Sequence, residues 1–313
     1  MTNHAPKDYL LSIVVPVFNE EEVIAEFIQR TQAVAQKLKC RYELVFVDDG
    51  SKDKTLKILV EEKKKDPQIK IIKLSRNFGH QIAITAGLDE AQGDAIVSID
   101  ADLQDPPELI PEMISLWKEG KDIIYAKRKR RLGETFFKTY LSAISYRLIR
   151  KISGCDIPVD VGDFRLLSRK ALDALNQMRE RYRYIRGLVA WLGYPHAFVE
   201  YVRQPRYAGV TKYPFFKLLR LSFDGISAFS ILPIRLATFL GFASSAGGLL
   251  YIPYAIYRKL FYSGIIEGWA TIVSAIFFMS GVQLICLGVI GEYIGMMHLE
   301  VKHRPLYVIS EVL

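Results

Sequence analysis

Apolar runs and helical stretches alternate through the first part of the chain. Residues 10–17 form a Val- and Ile-rich run closed by Pro16 and Asn19, the pattern of a buried strand. A helical period follows over 20–38. A second buried strand is expected over 42–47, stopped by Asp48-Asp49-Gly50-Ser51, and a helix over 54–65. The same alternation predicts strands at 69–74, 95–99 and 122–126 and helices at 81–91 and 106–120. Strands alternating with helices imply a mostly parallel sheet covered on both faces. Ligands in such sheets sit beyond the carboxyl ends of the strands. Asn19-Glu20, Asp48-Asp49 and Asp100-Asp102 all follow predicted strand ends, so three separate polar clusters point to one edge.

Further along, a helix is expected over 133–150, a strand over 160–167, a helix over 183–192 and a strand over 197–203. Residues 213–227 are amphipathic, with Lys217 and Arg220 among Phe215, Phe216, Leu218 and Leu219. That composition suits a helix lying in a membrane interface. Residues 236–257 contain no charge for 22 positions, and 268–291 none for 24. At about 1.5 Å per residue each covers roughly 33 Å or more, enough for a hydrocarbon core of about 30 Å. The short link between them makes a hairpin whose two ends face the same side. Arg206, Lys212, Lys217, Arg220 and Arg235 precede it and Lys302, His303 and Arg304 follow, whereas the link carries Arg258, Lys259 and Glu267. The positive-inside rule then places both ends in the cytoplasm. The expected organisation is an α/β domain over 1–210 and an interfacial segment over 211–232. A transmembrane hairpin over 233–298 (helices at about 234–257 and 268–291) and a cytoplasmic tail over 299–313 complete it.

Composition sharpens this picture. Half of the residues are hydrophobic and the mean hydropathy is +0.13, high for a soluble chain. The net charge of +8 favours anionic partners: nucleic acid, lipid or phosphorylated substrates. Cys40, Cys155 and Cys286 form no C-x-x-C pair, so neither a zinc site nor a disulfide framework is expected, which fits a reducing compartment. The polar start, residues 1–8, has no apolar run and predicts no signal peptide. A dehydrogenase is excluded for want of a G-x-G-x-x-G turn.

Asp100-Ala101-Asp102 at a strand end offers two carboxylates to a hard cation, Mg2+ or Mn2+, that would also bind phosphate oxygens. Such an ion neutralises a leaving diphosphate; the alternative is a solvated acidic turn. Arg206 and Lys212 stand just before the amphipathic segment, where a lipid phosphate would arrive. Lys127-Arg128-Lys129-Arg130-Arg131 is either a solvated, lipid-attracting loop or an arm closing over phosphates, with Lys127 and Arg128 nearest the sheet edge. No aromatics interleave that run, which argues against nucleic acid. His80 at a predicted helix start suits a phosphate contact or a cap.

In the company of its neighbours the Asp100-Asp102 pair resembles the inverting glycosyltransferases of the GT-A fold, family 2. The shared segments are Val15-Pro16-Val17-Phe18-Asn19-Glu20-Glu21, Val47-Asp48-Asp49-Gly50-Ser51-Lys52-Asp53 and Asp100-Ala101-Asp102-Leu103-Gln104. Three further segments resemble the polyisoprenyl-phosphate branch that includes dolichyl-phosphate mannose synthases, and most closely its bactoprenol glucosyltransferases of the GtrB type. They are Ser75-Arg76-Asn77-Phe78-Gly79-His80-Gln81, Val161-Gly162-Asp163-Phe164-Arg165-Leu166 and Arg206-Tyr207-Ala208-Gly209-Val210-Thr211-Lys212-Tyr213. The resemblance covers essentially the whole chain. It implies a Rossmann-like GT-A domain, then interfacial helices and a two-helix hairpin.

By the same resemblance, Pro16, Phe18 and Glu20 lie beside the base and ribose of a nucleotide. Val47 and Asp49 hold the base, and Asp100, Ala101, Asp102 and Gln104 form the metal and diphosphate site. Asp100, Asp102 and Gln104 are the expected metal set, with Asp102 the direct ligand. Arg206 and Lys212 grip phosphates; this loop reads Gly-Val-Thr-Lys where Gly-Glu-Ser-Lys is usual. Asp163 matches a proposed general base, with Asp156 and Asp160 as rivals. A phosphate monoester with a second pKa near about 6 is already a nucleophile at neutral pH, so Asp163 is expected mainly to orient the acceptor or its neighbouring Arg. The implied donor is UDP-glucose and the acceptor undecaprenyl phosphate, at the bacterial inner membrane, in a homotetramer. A GDP-mannose or UDP-amino-sugar donor, or a non-catalytic scaffold with a relic nucleotide site, are the alternatives.

Overall fold

A computed structural model describes residues 8–129, 158, 161–202, 232–261 and 268–313. It divides into two compact units: Met1–Leu218 with Pro305–Leu313, and Leu219–Arg304. The expected helix over 133–150, the amphipathic segment and the Arg206–Lys212 loop lie outside the described residues.

The first unit is built on an eight-stranded sheet of order β7-β5-β6-β4-β1-β2-β3-β8. Strands β1 (Leu10–Val17), β2 (Arg41–Asp48), β3 (Ile69–Leu74) and β4 (Ala95–Ser98) are mutually parallel, with β1 between β4 and β2. They are joined by α1 (Ile24–Leu38), α2 (Thr55–Lys65) and α3 (His80–Glu90). Every residue of β1 from Leu11 to Val17 is buried, as a strand covered on both faces requires, which explains its unbroken apolar run. Helix α1 buries Ile24, Phe27, Ile28, Thr31, Val34 and Ala35, one stripe at helical spacing. Helix α3 lies directly on β1 and β2. A Cβ at Gly87 would stand 2.3 Å from Val14 Cγ1 and 2.9 Å from Val47 Cγ2, so only glycine allows this approach.

The stretch expected as one helix over 106–120 begins as a 3-10 turn, Pro107–Leu109, and becomes α4 only at Ile110–Lys118. Strand β5 (Ile123–Arg128) follows, then β6 (Val161–Ser168), which runs antiparallel to both β4 and β5. Reversing β6 matters for function. Its start lies against the end of β4, with Ser98 opposite Arg165, so the rim reached by the parallel strands also receives the first residues of β6.

Helix α5 (Arg169–Gln177), absent from the sequence expectations, is capped by Ser168, whose hydroxyl accepts the Ala171 N–H at 3.2 Å, and buries Ala171, Leu172 and Leu175. Helix α6 (Ile185–Trp191) and β7 (His196–Tyr201) complete this half. Residues expected as a tail instead supply β8 (Ile309–Val312), antiparallel to β3. Just before it, Tyr307 donates to Asp89 Oδ2 at 2.7 Å, a carboxylate that also receives Arg179 at 2.9 and 2.8 Å.

The second unit contains helices α7 (Leu232–Phe261) and α8 (Trp269–Val301), each longer than the uncharged stretch that announced it. Cys286 Sγ reaches the Ala237 carbonyl at 3.4 Å between them. Phe239, Phe242, Leu249, Leu250, Phe277 and Phe278 are exposed along these helices. Among the described residues, Ser274–Val301 is long and apolar enough to cross a membrane.

Candidate active site at the sheet rim

The ends of β1 and β2 are laced together. Asn19, at φ 55°, accepts the Lys52 N–H at 2.8 Å, and its own N–H meets Ser51 Oγ at 3.0 Å. The Glu20 N–H donates to Thr55 Oγ1 at 2.8 Å. Pro16 and Val47 are buried in their strands, and Phe18 stands exposed at the rim. Asp49 is buried, and its carboxylate accepts the Phe78 N–H at 2.7 Å and the Gly79 N–H at 2.9 Å, one on each oxygen. Burial pushes the Asp49 carboxyl upward, partly opposed by these two donors. Gly50 makes the approach possible. Its φ is +75°, and a Cβ there would lie 2.9 Å from the Asn77 nitrogen.

Beyond β4 the chain turns out of the sheet through Asp100, Ala101 and Asp102, with Leu103 at φ 57°. The Gln104 N–H donates to Asp102 Oδ1 at 3.1 Å, and Ala101 and Gln104 are buried. Asp100 Oδ1 is buried with no hydrogen-bond donor, and His80 Nε2 stands 3.4 Å away. Burial, with Asp163, Asp105 and Asp102 nearby, pushes the Asp100 carboxyl up to about 6, against the pull of His80. A hard divalent cation fits such a donor set: the oxygens are carboxylate, and one is buried without a donor. Among the described residues no three His, Cys, Asp or Glu side chains form a ready-made cage. An ion here would need ligands from a bound diphosphate.

Asp163, near the start of β6, is buried and held on every side. Arg165 Nη2 donates to Oδ1 at 2.8 Å. Arg186, the second residue of α6, donates Nε to Oδ1 at 3.1 Å and Nη2 to Oδ2 at 2.9 Å. Gln81 Nε2 adds a bond to Oδ2 at 3.3 Å, and His80 Nε2 lies 3.5 Å from the same oxygen. Burial alone would raise this carboxyl, yet His80, Arg186 and Arg165 hold it well below the usual carboxylate range. His80 is the mirror case: burial lowers it, but Asp100 and Asp163 outweigh burial and carry it up to about 9. The imidazole thus joins the acid of the β4 turn to the acid of β6.

Residues 12–175 match the pattern of glycosyl transferase family 2, and residues 232–297 match the GtrB C-terminal hairpin. This chain belongs to glycosyl transferase family 2. It is 53% identical over 300 residues to the glycosyltransferase YkcC of Bacillus subtilis strain 168, covering 96% of this chain and 93% of that one. It is 40% identical over 300 residues to the bactoprenol glucosyl transferase of Shigella phage SfV, covering 96% and 98%. A prophage bactoprenol glucosyl transferase homolog of Escherichia coli strain K12 is 40% identical over 302 residues, covering 96% and 99%. The matched hairpin together with the apolar α8 makes this glycosyltransferase a membrane-associated one.

The two basic residues at the end of β5 go to different places. Lys127 Nζ lies 3.9 Å from Glu200 and 5.5 Å from the Phe198 ring centroid. Arg128 is turned inward, its Nε donating to Tyr201 Oη at 3.0 Å and its Nη2 lying 3.4 Å from Asp105. Tyr201 in turn donates a hydrogen bond to Asp105. Arg206, Lys212, Asp156 and Asp160 lie outside the described residues. Three residues at the site carried no role in the sequence reading, Gln81, Arg186 and Asp105, while Arg165 entered it only as the arginine neighbouring Asp163. Asp105 had a local signal, a third acid three positions after Asp102. Arg186 had none, because its partner is 23 residues away and only the fold joins them.

Proposed function

We propose that this glycosyltransferase moves glucose from UDP-glucose to a polyisoprenyl phosphate such as undecaprenyl phosphate, with inversion at the anomeric carbon. The observation that carries this is the meeting of Asp100 and Asp163 across His80, both within 3.5 Å. A diphosphate-side acid and a second acid suited to organising an acceptor share one rim. The names of the 40%-identical relatives supply the lipid and the sugar class.

In the reaction an acceptor phosphate oxygen forms a bond to sugar C1 while the bond from C1 to the diphosphate oxygen breaks, and UDP leaves. The acceptor's second pKa is near about 6, so it arrives largely as a dianion and has no proton to give up. Asp163 then serves best as a fixed anion that aligns Arg186 and Arg165, since its oxygens are already engaged and its carboxyl is held far from proton-taking range. Asp49, held by the Phe78 and Gly79 N–H groups, would accept a ring N–H of the nucleotide base. Asp100 and Asp102, with Gln104 beside them, would hold Mg2+ or Mn2+, whose contribution is charge neutralisation of the departing diphosphate. Arg206, Lys212, Lys127 and Arg128 belong to the phosphate-binding side of the same proposal.

Connectivity and charge support a location. The chain leaves the sheet unit before α7 and rejoins the sheet at β8, so whichever side of a bilayer holds the sheet holds both ends of the helix pair. With the basic flanks of the hairpin, this supports a two-pass protein of the plasma membrane with its catalytic unit in the cytoplasm. Small residues at Gly241, Ser244, Gly247 and Gly248 offer helix-packing faces for a homotetramer.

The test is incubation of the full-length protein with labelled UDP-glucose, UDP-amino-sugars or GDP-mannose, with undecaprenyl phosphate, with and without Mn2+ or Mg2+. Lipid-linked glucose from UDP-glucose is expected. Transfer only from GDP-mannose would replace the donor, and neither transfer nor donor hydrolysis would leave a scaffold. Light scattering of the detergent-solubilised protein reads the subunit number.

A further inference from the structure

Gln81 links parts of the site that no sequence motif joins. It is the second residue of α3, and its side-chain amide works in both directions. Nε2 donates to Asp163 Oδ2 at 3.3 Å, and Oε1 accepts the N–H of Ile185 at 3.2 Å. Ile185 is the first residue of α6, whose N-cap, Tyr184, provides no side-chain cap of its own. Gln81 therefore caps α6 from another helix, meeting a donor that a helix start leaves unsatisfied. The next residue, Arg186, returns to the same Asp163 carboxylate. Gln81, Asp163, Arg186 and the Ile185 backbone thus close a ring.

The ring is anchored on the nucleotide side as well. The N–H groups of Phe78 and Gly79, immediately before α3, hold Asp49. Helix α3 itself is seated on β1 and β2 through Gly87. Four consecutive residues, 78–81, therefore touch the base-side carboxylate at one end and the acceptor-side carboxylate at the other. Arg186 is about a third exposed, so its charge reaches solvent beside Asp163.

Building on the glucosyl transfer assigned above, we propose that Gln81 is a positioning residue that fixes Asp163 and Arg186 relative to the Asp49 side of the site. It sets the acceptor phosphate in register with the donor. The residue type is demanding. The glutamine amide donates to a carboxylate through its nitrogen and accepts a backbone N–H through its oxygen; glutamate has no proton to donate when ionised, and methionine offers neither group.

The test compares Gln81→Glu and Gln81→Met with the wild type, all in the full-length chain. Amide hydrogen exchange over residues 185–191 is expected to quicken about fivefold or more in Gln81→Met, the scale of one lost hydrogen bond, with β1 and β2 unchanged. The affinity for UDP with Mn2+, read by calorimetry, should stay within about twofold of wild type, while kcat per active site falls about tenfold or more. Gln81→Glu keeps the Ile185 bond but sets a second carboxylate against Asp163. It should therefore spare the exchange rates more than Gln81→Met does and lose at least as much kcat. Should the Met variant fail to fold, the isosteric Glu variant carries the kinetic test. Unchanged exchange at 185–191 in Gln81→Met, or kcat near wild type in Gln81→Glu, overturns the proposal, as does an equal loss of UDP affinity and turnover. A wild type that transfers nothing defeats the assigned reaction instead, and the exchange measurement still decides whether Gln81 holds α6.

Discussion

Arg186 grips Asp163 through two hydrogen bonds, Nε to Oδ1 at 3.1 Å and Nη2 to Oδ2 at 2.9 Å. This fork-to-fork contact fixes both the distance and the plane of the pair. Lysine keeps the charge but has a single nitrogen, so it cannot reproduce the plane. Arg186→Lys is expected to lower kcat for transfer by about tenfold, with binding of UDP and Mn2+ little changed. Steady-state kinetics beside UDP calorimetry would check this.

Asp163→Asn is expected to cost about a hundredfold or more in turnover, a loss that persists when the pH is raised to about 9. A general base would instead be bypassed as the acceptor lost its own proton, so activity of the variant would recover with pH. The pH–rate profile separates the two.

The same substitution has a signature in acid. Because the folded state holds the Asp163 carboxyl well below its ordinary value of about 3.9, the carboxylate contributes stability above that value. This contribution is lost as the pH falls through the folded pKa. The wild type should therefore exceed Asp163→Asn by about 3 kcal/mol near neutrality, since the buried Arg165 loses its counter-charge. The gap should narrow below about pH 4. Urea midpoints measured from pH 7 downward would show it.

Gly50→Ala puts a methyl group against backbone atoms of Arg76 and Asn77 in a positive-φ conformation. The expected cost is about 1–3 kcal/mol, and it falls on the segment that delivers the Phe78 and Gly79 N–H groups to Asp49. A weaker affinity for UDP, read by calorimetry alongside the melting temperature, is the predicted result.

Divalent ions should be required for transfer. Chelation with EDTA is expected to abolish it and Mn2+ or Mg2+ to restore it. Asp102→Ala should weaken Mn2+ retention in the presence of UDP by about tenfold or more, measured from the paramagnetic resonance of free Mn2+.

The parallel half of the sheet was legible because each strand is a closed apolar run between polar turns, and β1 to β4 appear within one or two residues of their expected places. Asp49, Asp100 and Asp102 were legible for the same reason, since each follows a strand. Helix α5 was missed although Ser168 and the Ala171, Leu172, Leu175 stripe announce it. Strand β8 could not be read locally: four residues with three exposed take their structure from β3, more than two hundred positions earlier. The ring around Asp163 was hidden for the same reason. Gln81 lies 82 residues before it and Arg186 23 after it, and only the reversed β6 brings them to one place.

Strand β8 also bears on how the protein is made. The edge of β3 gains its neighbour only from residues translated after both long helices, so the sheet cannot be completed while the ribosome is still producing the hairpin. Until then β3 offers an open row of amide and carbonyl groups. Maturation of the enzyme is thereby timed to follow synthesis of its own anchor.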